Sequence, residues 1–529
     1  MRPSPALLGT LLAVTLASCA TPASPPTAAP APAASPASER RAENQVLTFG
    51  VSRFSDTLSP AGFASNPWLY LPLYDPITIF GPNFEVRPWL ATRWELDAEG
   101  KVWTFTLRDD VRFSNGEPLT AEDAAYTINL ALSQQGWILR SLLTAVAEVK
   151  ALDPRTLQIT TRMIDLSIPA AGPLAYVLSR KVHQEIGDAG YANRPVGSGP
   201  YEVVQFQPGA VVHYRVRSTP HPFRKVENRE LIFRNVVENS QLRNGLRTGE
   251  LDGGLLRNFT GEQAESLRQD GMVVIAYLNT NASMKIPQGV AEAKGSPLGD
   301  KRVRQALNYA INREEMTQNL FRGFNKPTGQ GGTPDSQYWN PGLPPWPYDP
   351  QKAKQLLAEA GYPNGFKLTG GLDFTPAAQP AEVPLAIQSY LRAIGVEIEI
   401  NTLELGVFTD KVNGRQPKGD IVSAGSGDRN GWFSAYRGTI GCNRPPGIAR
   451  DQFFYCNPEW DRTFDAALVE RDPVKRAELY RRAAAIERED LWILFTYNGA
   501  SYHVHSPKVK GIPDNVQNQI NLDSAYRIQ

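Results

Sequence analysis

The sequence predicts an α/β protein of two or three lobes, and three observations carry that expectation. Helical and strand patterns alternate in the second half, where a helix over Asp349 to Ala360 and another ending in Arg392-Ala393-Ile394-Gly395 lead to a strand over Val396 to Ile400. The chain has 529 residues, more than one hydrophobic core normally organises. Val102 to Leu107 alternates Trp103, Phe105 and Leu107 against Thr104 and Thr106, then meets an Asn115-Gly116 turn. Thr120 follows as an N-cap with Glu122 and Asp123 in the first turn of a helix.

From the beginning, Arg2 and the apolar run Ala6 to Leu16 read as a processing segment, which is set aside before the fold is considered. Leu16-Ala17-Ser18-Cys19 resembles a lipobox, so residues 1–18 are expected to be a lipoprotein signal peptide and Cys19 the lipidated residue. An ordinary secretory signal that happens to end in Cys is the alternative. The apolar run is much shorter than the roughly 20 residues a bilayer span needs. Residues 19–43 form an Ala/Pro-rich tether, which cannot bury a core and behaves as an extended leash.

Val46 to Val51 reads as the first strand, ending in a polar loop over Ser55 to Pro60. In Pro195-Val196-Gly197-Ser198-Gly199-Pro200-Tyr201 the glycines permit positive φ and Pro200 pins the exit into a strand from Tyr201 to Phe206. Asp300 to Ala310 places Val303, Ala306, Leu307 and Ala310 on one helical face, and Asn312 caps the next helix. Asp349 is an N-cap with Pro350 at the first helical position and Gly361 as the stop. Leu491 to Tyr497 reads as one buried strand.

The 55 basic and 54 acidic residues become equal in number once Arg2 is removed with the signal, and no basic stripe stands out. Nucleic-acid binding is therefore disfavoured. Cys442 and Cys456 flank a Pro/Gly loop, and in an exported protein a disulfide is their natural pairing, with two buried free thiols as the alternative. No P-loop, G-x-S-x-G elbow or H-E-x-x-H helix occurs. His503 and His505 share one strand face without a Cys or carboxylate at ligand spacing, so they read as surface histidines on an edge and no metal site is expected. Gly329-Gln330-Gly331-Gly332 follows a coil and reads as a loop crossing a cleft.

The run Val102 to Ala124, the turn Pro195 to Tyr201 and the helix Asp300 to Glu314 resemble the signatures of family 5 bacterial solute-binding proteins, the peptide/nickel group that delivers cargo to ABC importers. Tyr74-Asp75-Pro76, Glu85 to Ala91, Glu250 to Gly254 and Val509-Lys510-Gly511 add weaker matches, so the resemblance covers nearly the whole mature chain. It implies a periplasmic-binding-protein-like class II fold with two α/β lobes joined by a hinge and one inserted lobe. Lobe I would take residues 44–76, 200–276 and 502–529, lobe II residues 77–199 and lobe III residues 277–501. It further implies a monomer without enzymatic activity or cofactor in the periplasm or cell envelope, where the lipobox at Cys19 would hold it to the membrane. Such a receptor captures a small solute between lobes I and III and passes it to ABC permease subunits. Oligopeptides or dipeptides lead as cargo; sugar conjugates, opine-like compounds and chelated nickel are the other classes relatives carry, and a chaperone-like or hydrolytic envelope lipoprotein is the remote alternative.

Gly425 to Phe433 resembles the family's hinge-proximal loop, in which an aspartate accepts a peptide's α-ammonium group. Aligned on Phe433, that position is Ser426, so either the acid is missing or Asp428 supplies it after a local shift. Trp432 and Tyr436 offer flat apolar walls for a ligand, or else pack a lobe core. Arg429 offers a bidentate fork for a carboxylate or phosphate, or else pairs with Asp428. Phe54 and Trp68 lie in loops that reach the cleft in this family.

Overall fold

The computed structural model describes residues 41–43, 45–51, 54–60, 67–81, 85–134, 138–236, 238–256, 260–376, 379–408, 419–423, 442, 455–513 and 521–529. All belong to one unit, Arg41–Gln529. Three sheets organise it. The eight-stranded sheet runs in the order Val273–Asn281, Tyr497–His505, Gly253–Leu256, Val46–Val51, Glu230–Asn235, Val211–Val216, Tyr201–Gln207, with Lys326–Pro327 paired to Tyr497–His505. Val46–Val51 sits in its interior, parallel to both neighbours, and Leu47, Phe49 and Val51 are fully buried. A strand covered on both faces needs this near-continuous apolar run.

A five-stranded sheet orders Val396–Thr402, Phe366–Phe374, Ile421–Val422, Met284–Lys285 and Ile493–Leu494. A four-stranded antiparallel sheet orders Ala91–Leu96, Val102–Leu107, Thr156–Thr161 and Val146–Asp153, with the helix Ala121–Ser133 packed against it. Its strand Val102–Leu107 buries Trp103, Phe105 and Leu107, as the alternation predicts. Asp123 closes the first turn of that helix by accepting from both the backbone nitrogen and the hydroxyl of Thr120, each at 3.0 Å. The three largest buried apolar clusters among the described residues follow these sheets. One gathers Leu47, Phe49 and Phe233, a second Phe105, Ile128 and Ile159, a third Leu307, Leu372 and Trp460.

Three expectations need correction. Leu491 to Tyr497 is buried but is not one strand: Leu491 turns left-handed (φ 59°) to end the helix Pro473–Asp490, Ile493–Leu494 joins one sheet, and Tyr497–His505 begins in another. His503 and His505 are not on an edge. Their strand lies between Gly253–Leu256 and Val273–Asn281, His503 is 0 % exposed, and neither of its ring nitrogens has a hydrogen-bond partner among the described residues. Burial, with the neighbouring His505 second, pushes His503 down to about 3. Gly197 and Gly199 have no positive φ; they are required because a Cβ would sit 1.9 Å from the Leu73 carbonyl oxygen and 2.4 Å from that of Pro72.

That close approach leads to a buried polar knot. Asp75 is fully buried; His221 Nε2 donates to it at 3.0 Å, Trp89 Nε1 at 2.9 Å, Ser198 Oγ at 2.9 Å and Arg224 Nη1 at 3.1 Å. Arg224 also donates twice to Asp523, at 2.7 and 2.9 Å, and once to the Leu71 carbonyl at 2.9 Å. Burial alone would raise the Asp75 carboxyl, but the His221 hydrogen bond and the Arg224 charge hold it well below the usual carboxylate range. The knot joins the Tyr74-Asp75-Pro76 segment, the Gly197-Ser198-Gly199 turn and the C-terminal segment.

Candidate functional site

Two chain segments pass directly between the eight- and five-stranded sheets. Val273–Asn281 crosses at Ala282-Ser283 into Met284–Lys285, and Ile493–Leu494 crosses at Phe495-Thr496 into Tyr497–His505. They run antiparallel and side by side, with Met284 opposite Leu494 and Asn281 opposite Asn498. Buried polar groups lace the crossing. Asn281 Nδ2 donates to the Gln330 carbonyl at 2.7 Å and to Asn498 Oδ1 at 3.2 Å, and Thr496 Oγ1 donates to the Ala282 carbonyl at 3.0 Å. The glycine-rich loop predicted at 329–332 thus lies on the crossing, with Gln330 fully buried. A pair of short segments between two packed bodies is where hinge rotation is absorbed.

The helix Lys301–Ala310 and the start of the next fasten this crossing to the five-stranded sheet. Arg304 donates to the carbonyls of Leu298, Gly299 and Asp490, each at 2.9 or 3.0 Å. Asn308 Nδ2 donates to the Ile493 carbonyl at 3.0 Å, and its Oδ1 accepts from Phe495 N at 3.1 Å. Arg313, 2 % exposed, donates to the Phe495 carbonyl at 2.7 Å and to those of Asn308 and Ile311, both at 2.9 Å. Burial, with the charge of Arg488 second, pushes the Arg313 guanidinium down to about 9. These side chains hold residues 490–496 from one side while leaving Ala282-Ser283 to the polar lacing.

Ser426, Asp428, Arg429, Trp432 and Tyr436 lie outside the described residues, as does Cys19. The anchors of their segment are described. On one side, Ser423 N donates to the Asp373 carbonyl at 2.9 Å beside the buried pair Gln379 and Ser423. On the other, Cys442 is disulfide-bonded to Cys456, Cys442 N donates to the Asp461 carboxylate at 2.9 Å, and Cys456 N donates to Gln288 Oε1 at 2.7 Å. Both anchors belong to the body of the five-stranded sheet. Phe54 is half-buried against the core of the eight-stranded sheet; Trp68 is 6 % exposed there, its ring 5.5 Å from Phe233. The crossing residues Asn281, Ser283, Thr496 and Asn498 escaped sequence reading. Their one signal is polarity inside otherwise apolar strand runs.

Residues 85–443 match the family model "Bacterial extracellular solute-binding proteins, family 5 Middle". The nickel-binding periplasmic protein of Escherichia coli K12 is 28 % identical over 465 residues, 79 % of this chain and 83 % of that protein. The glutathione-binding protein GsiB of Salmonella typhimurium is 27 % identical over 452 residues, 83 % of this chain and 84 % of that protein. Among solved structures, the Helicobacter pylori periplasmic binding protein DppA with peptide STSA superposes with a TM-score of 0.76, at 22 % identity, over 93 % of this chain and 99 % of that one.

Proposed function

The chain belongs to the bacterial extracellular solute-binding proteins of family 5, and we propose that it captures a small solute, foremost an oligopeptide or dipeptide, between its first and third lobes. As a family member it is a solute-binding component of an ABC importer and not an enzyme. The lobes we assign are 44–76, 200–281 and 497–529 for the first, 77–199 for the inserted second and 284–494 for the third; the bounds expected at 277 and 501 shift to the crossing because Val273–Asn281 and Tyr497–His505 pair within the eight-stranded sheet. The observation that carries this reading is the laced double crossing at 282–283 and 495–496, which joins two sheet-based bodies by two short segments. Such a joint serves a receptor that closes on its ligand, because closure is a population shift that the ligand drives only by touching both bodies. We further assign Cys19 as the lipid anchor in the periplasmic space, and Asp428, Arg429, Trp432, Tyr436 and Ser426, together with Phe54 and Trp68 of the first lobe, as the ligand surface.

A non-peptide cargo is the second reading. Relatives of nearly equal identity are named for nickel and for glutathione, which supports the frame more than any one cargo. A thermal-shift screen finds the class, because a ligand stabilises by RT ln(1 + [L]/Kd). Calorimetry with the hit then tests the site. For a free-amine peptide, Asp428→Asn removes one partner of a desolvated charge pair, worth about 2–5 kcal/mol, so affinity falls well over tenfold while an N-acetylated analogue is indifferent. For an anionic ligand Arg429→Ala is the severe variant. Equal, small losses in both refute this placement of the site.

A further inference from the structure

The bodies built on the four- and five-stranded sheets are linked through the chain only by way of the eight-stranded sheet, yet they touch. The hairpin turn between Ala91–Leu96 and Val102–Leu107 meets the turn between the helices Pro458–Val469 and Pro473–Asp490. Arg471 Nη2 donates to the carbonyl of Asp97 at 3.1 Å and to that of Ala98 at 2.8 Å, across 374 and 373 residues of sequence. The hairpin is built to present those carbonyls. Asp97 Oδ1 accepts from Lys101 N at 2.8 Å and Val102 N at 2.9 Å, and Gly100 turns left-handed (φ 80°) where a Cβ would stand 3.1 Å from both Arg471 Nη2 and Ile164. The Arg471 turn is equally fixed, since Asp472 caps the following helix and accepts from Val474 N at 2.8 Å. Beside it, Asp165 is 3 % exposed, with Ser167 on one carboxylate oxygen and, among the described residues, no hydrogen-bond partner on the other.

We propose that Arg471 and the Asp97–Gly100 turn form a clasp that fixes the relative orientation of the two outer bodies. The clasp completes a triangle. A rotation at the double crossing moves the five-stranded body against the other two, and it must break these hydrogen bonds or carry them along. The orientation of the five-stranded body is then set at two places, the double crossing and the clasp. Its consequence for capture rests on the solute-binding reading above; the clasp itself does not.

The test is pulsed dipolar spectroscopy on the ligand-free mature protein, with spin labels at Lys150→Cys on the four-stranded body and Glu478→Cys on the second body. Arg471 is exposed, so Arg471→Ala is expected to fold, with an unchanged circular dichroism spectrum as the check. The expected result is a distance distribution at least twice as broad as in the unsubstituted protein, or a second population, with Lys475→Ala, an exposed neighbour, leaving it unaltered. Arg471→Lys, which keeps one donor, is expected to fall between. An unchanged distribution in a folded Arg471→Ala overturns the clasp, even if a solute narrows it. Broadening that no solute reverses leaves the clasp standing and counts against solute capture instead.

Discussion

Replacing Arg224 by Met removes the one guanidinium that bridges Asp75 and Asp523 while keeping much of the side chain's apolar bulk. That guanidinium is 2 % exposed and supplies two hydrogen bonds to Asp523, one to Asp75 and one to the Leu71 carbonyl. Asp75 keeps His221, Trp89 and Ser198, whereas Asp523 loses its only ion-pair partner among the described residues. Breaking a buried pair from one side costs about 3–5 kcal/mol, and two carboxylates sharing the lost partner place this variant toward the upper end. A multi-lobed chain need not unfold in one step, so the midpoint is best followed by urea titration with tryptophan emission, Trp89 lying in the knot itself. The sign with pH is fixed by the same geometry. Asp75 is held below its ordinary value of 3.8, so its contribution is present above about pH 4 and fades as the solution is acidified through and below it. The gap between wild type and Arg224→Met should therefore be widest at neutral pH and close on acidification. Arg224→Met/Asp523→Asn should recover part of the loss. A deficit under about 1 kcal/mol at pH 7, no more than one ordinary hydrogen bond, would refute the reasoning, as would a gap that grows toward low pH.

Reduction of Cys442–Cys456, which closes a loop of sequence separation 14, should lower stability by about 3 kcal/mol, and the unfolded, unreduced mature protein should take up no alkylating label at either thiol. His503, pushed down to about 3 against an ordinary 6.5, stays neutral while the unfolded chain protonates. Its contribution is thus whole above about pH 6.5 and lost as pH falls toward 3, at up to about 1.4 kcal/mol per pH unit, so His503→Leu should show a shallower acid limb by as much as one proton. Cys19→Ser should release the protein from the membrane into the soluble envelope fraction, and membrane retention through a salt wash would contradict the lipid anchor.

Local order was legible in the sequence wherever the cause was local. Asp349 accepts from Lys352 N at 2.8 Å and Gly361 turns left-handed at φ 93°, as cap and stop chemistry requires. Val303, Ala306, Leu307 and Ala310 are all buried because helical spacing alone puts them on one face. Features created by distant partners were not legible. Nothing within Leu491 to Tyr497 records that the strand changes sheets midway, and Asn281 finds Asn498 across 217 residues. The His503 ring looks like a surface group until the strands on either side of it are known. At the candidate site the cysteine pairing was readable from compartment and spacing, whereas the segment from Gly425 to Tyr436 was singled out by resemblance alone, because a loop's side chains take their meaning from the body that carries it.

Four of the motifs that carry the family resemblance share one physical task. Asp75 and Ser198, from two of them, meet in the Arg224 knot. Arg304, Asn308 and Arg313, from a third, hold residues 490–496 at the crossing. Asp252, from a fourth, accepts from Thr48 N at 2.8 Å and pairs with Arg527, tying the first strand to the C-terminus. Each is a buried polar group satisfied by backbone or charge far away in sequence, and a buried group of this kind tolerates no exchange without a large penalty. Among the described residues these tasks are met by partners within the chain. Relatives named for nickel and for glutathione match this chain at nearly equal identity, 28 and 27 %, so the match follows the frame and not one cargo. It follows that substitutions in the motifs should alter stability and closure for every solute alike, and that discrimination between solutes has to reside in side chains the motifs do not contain.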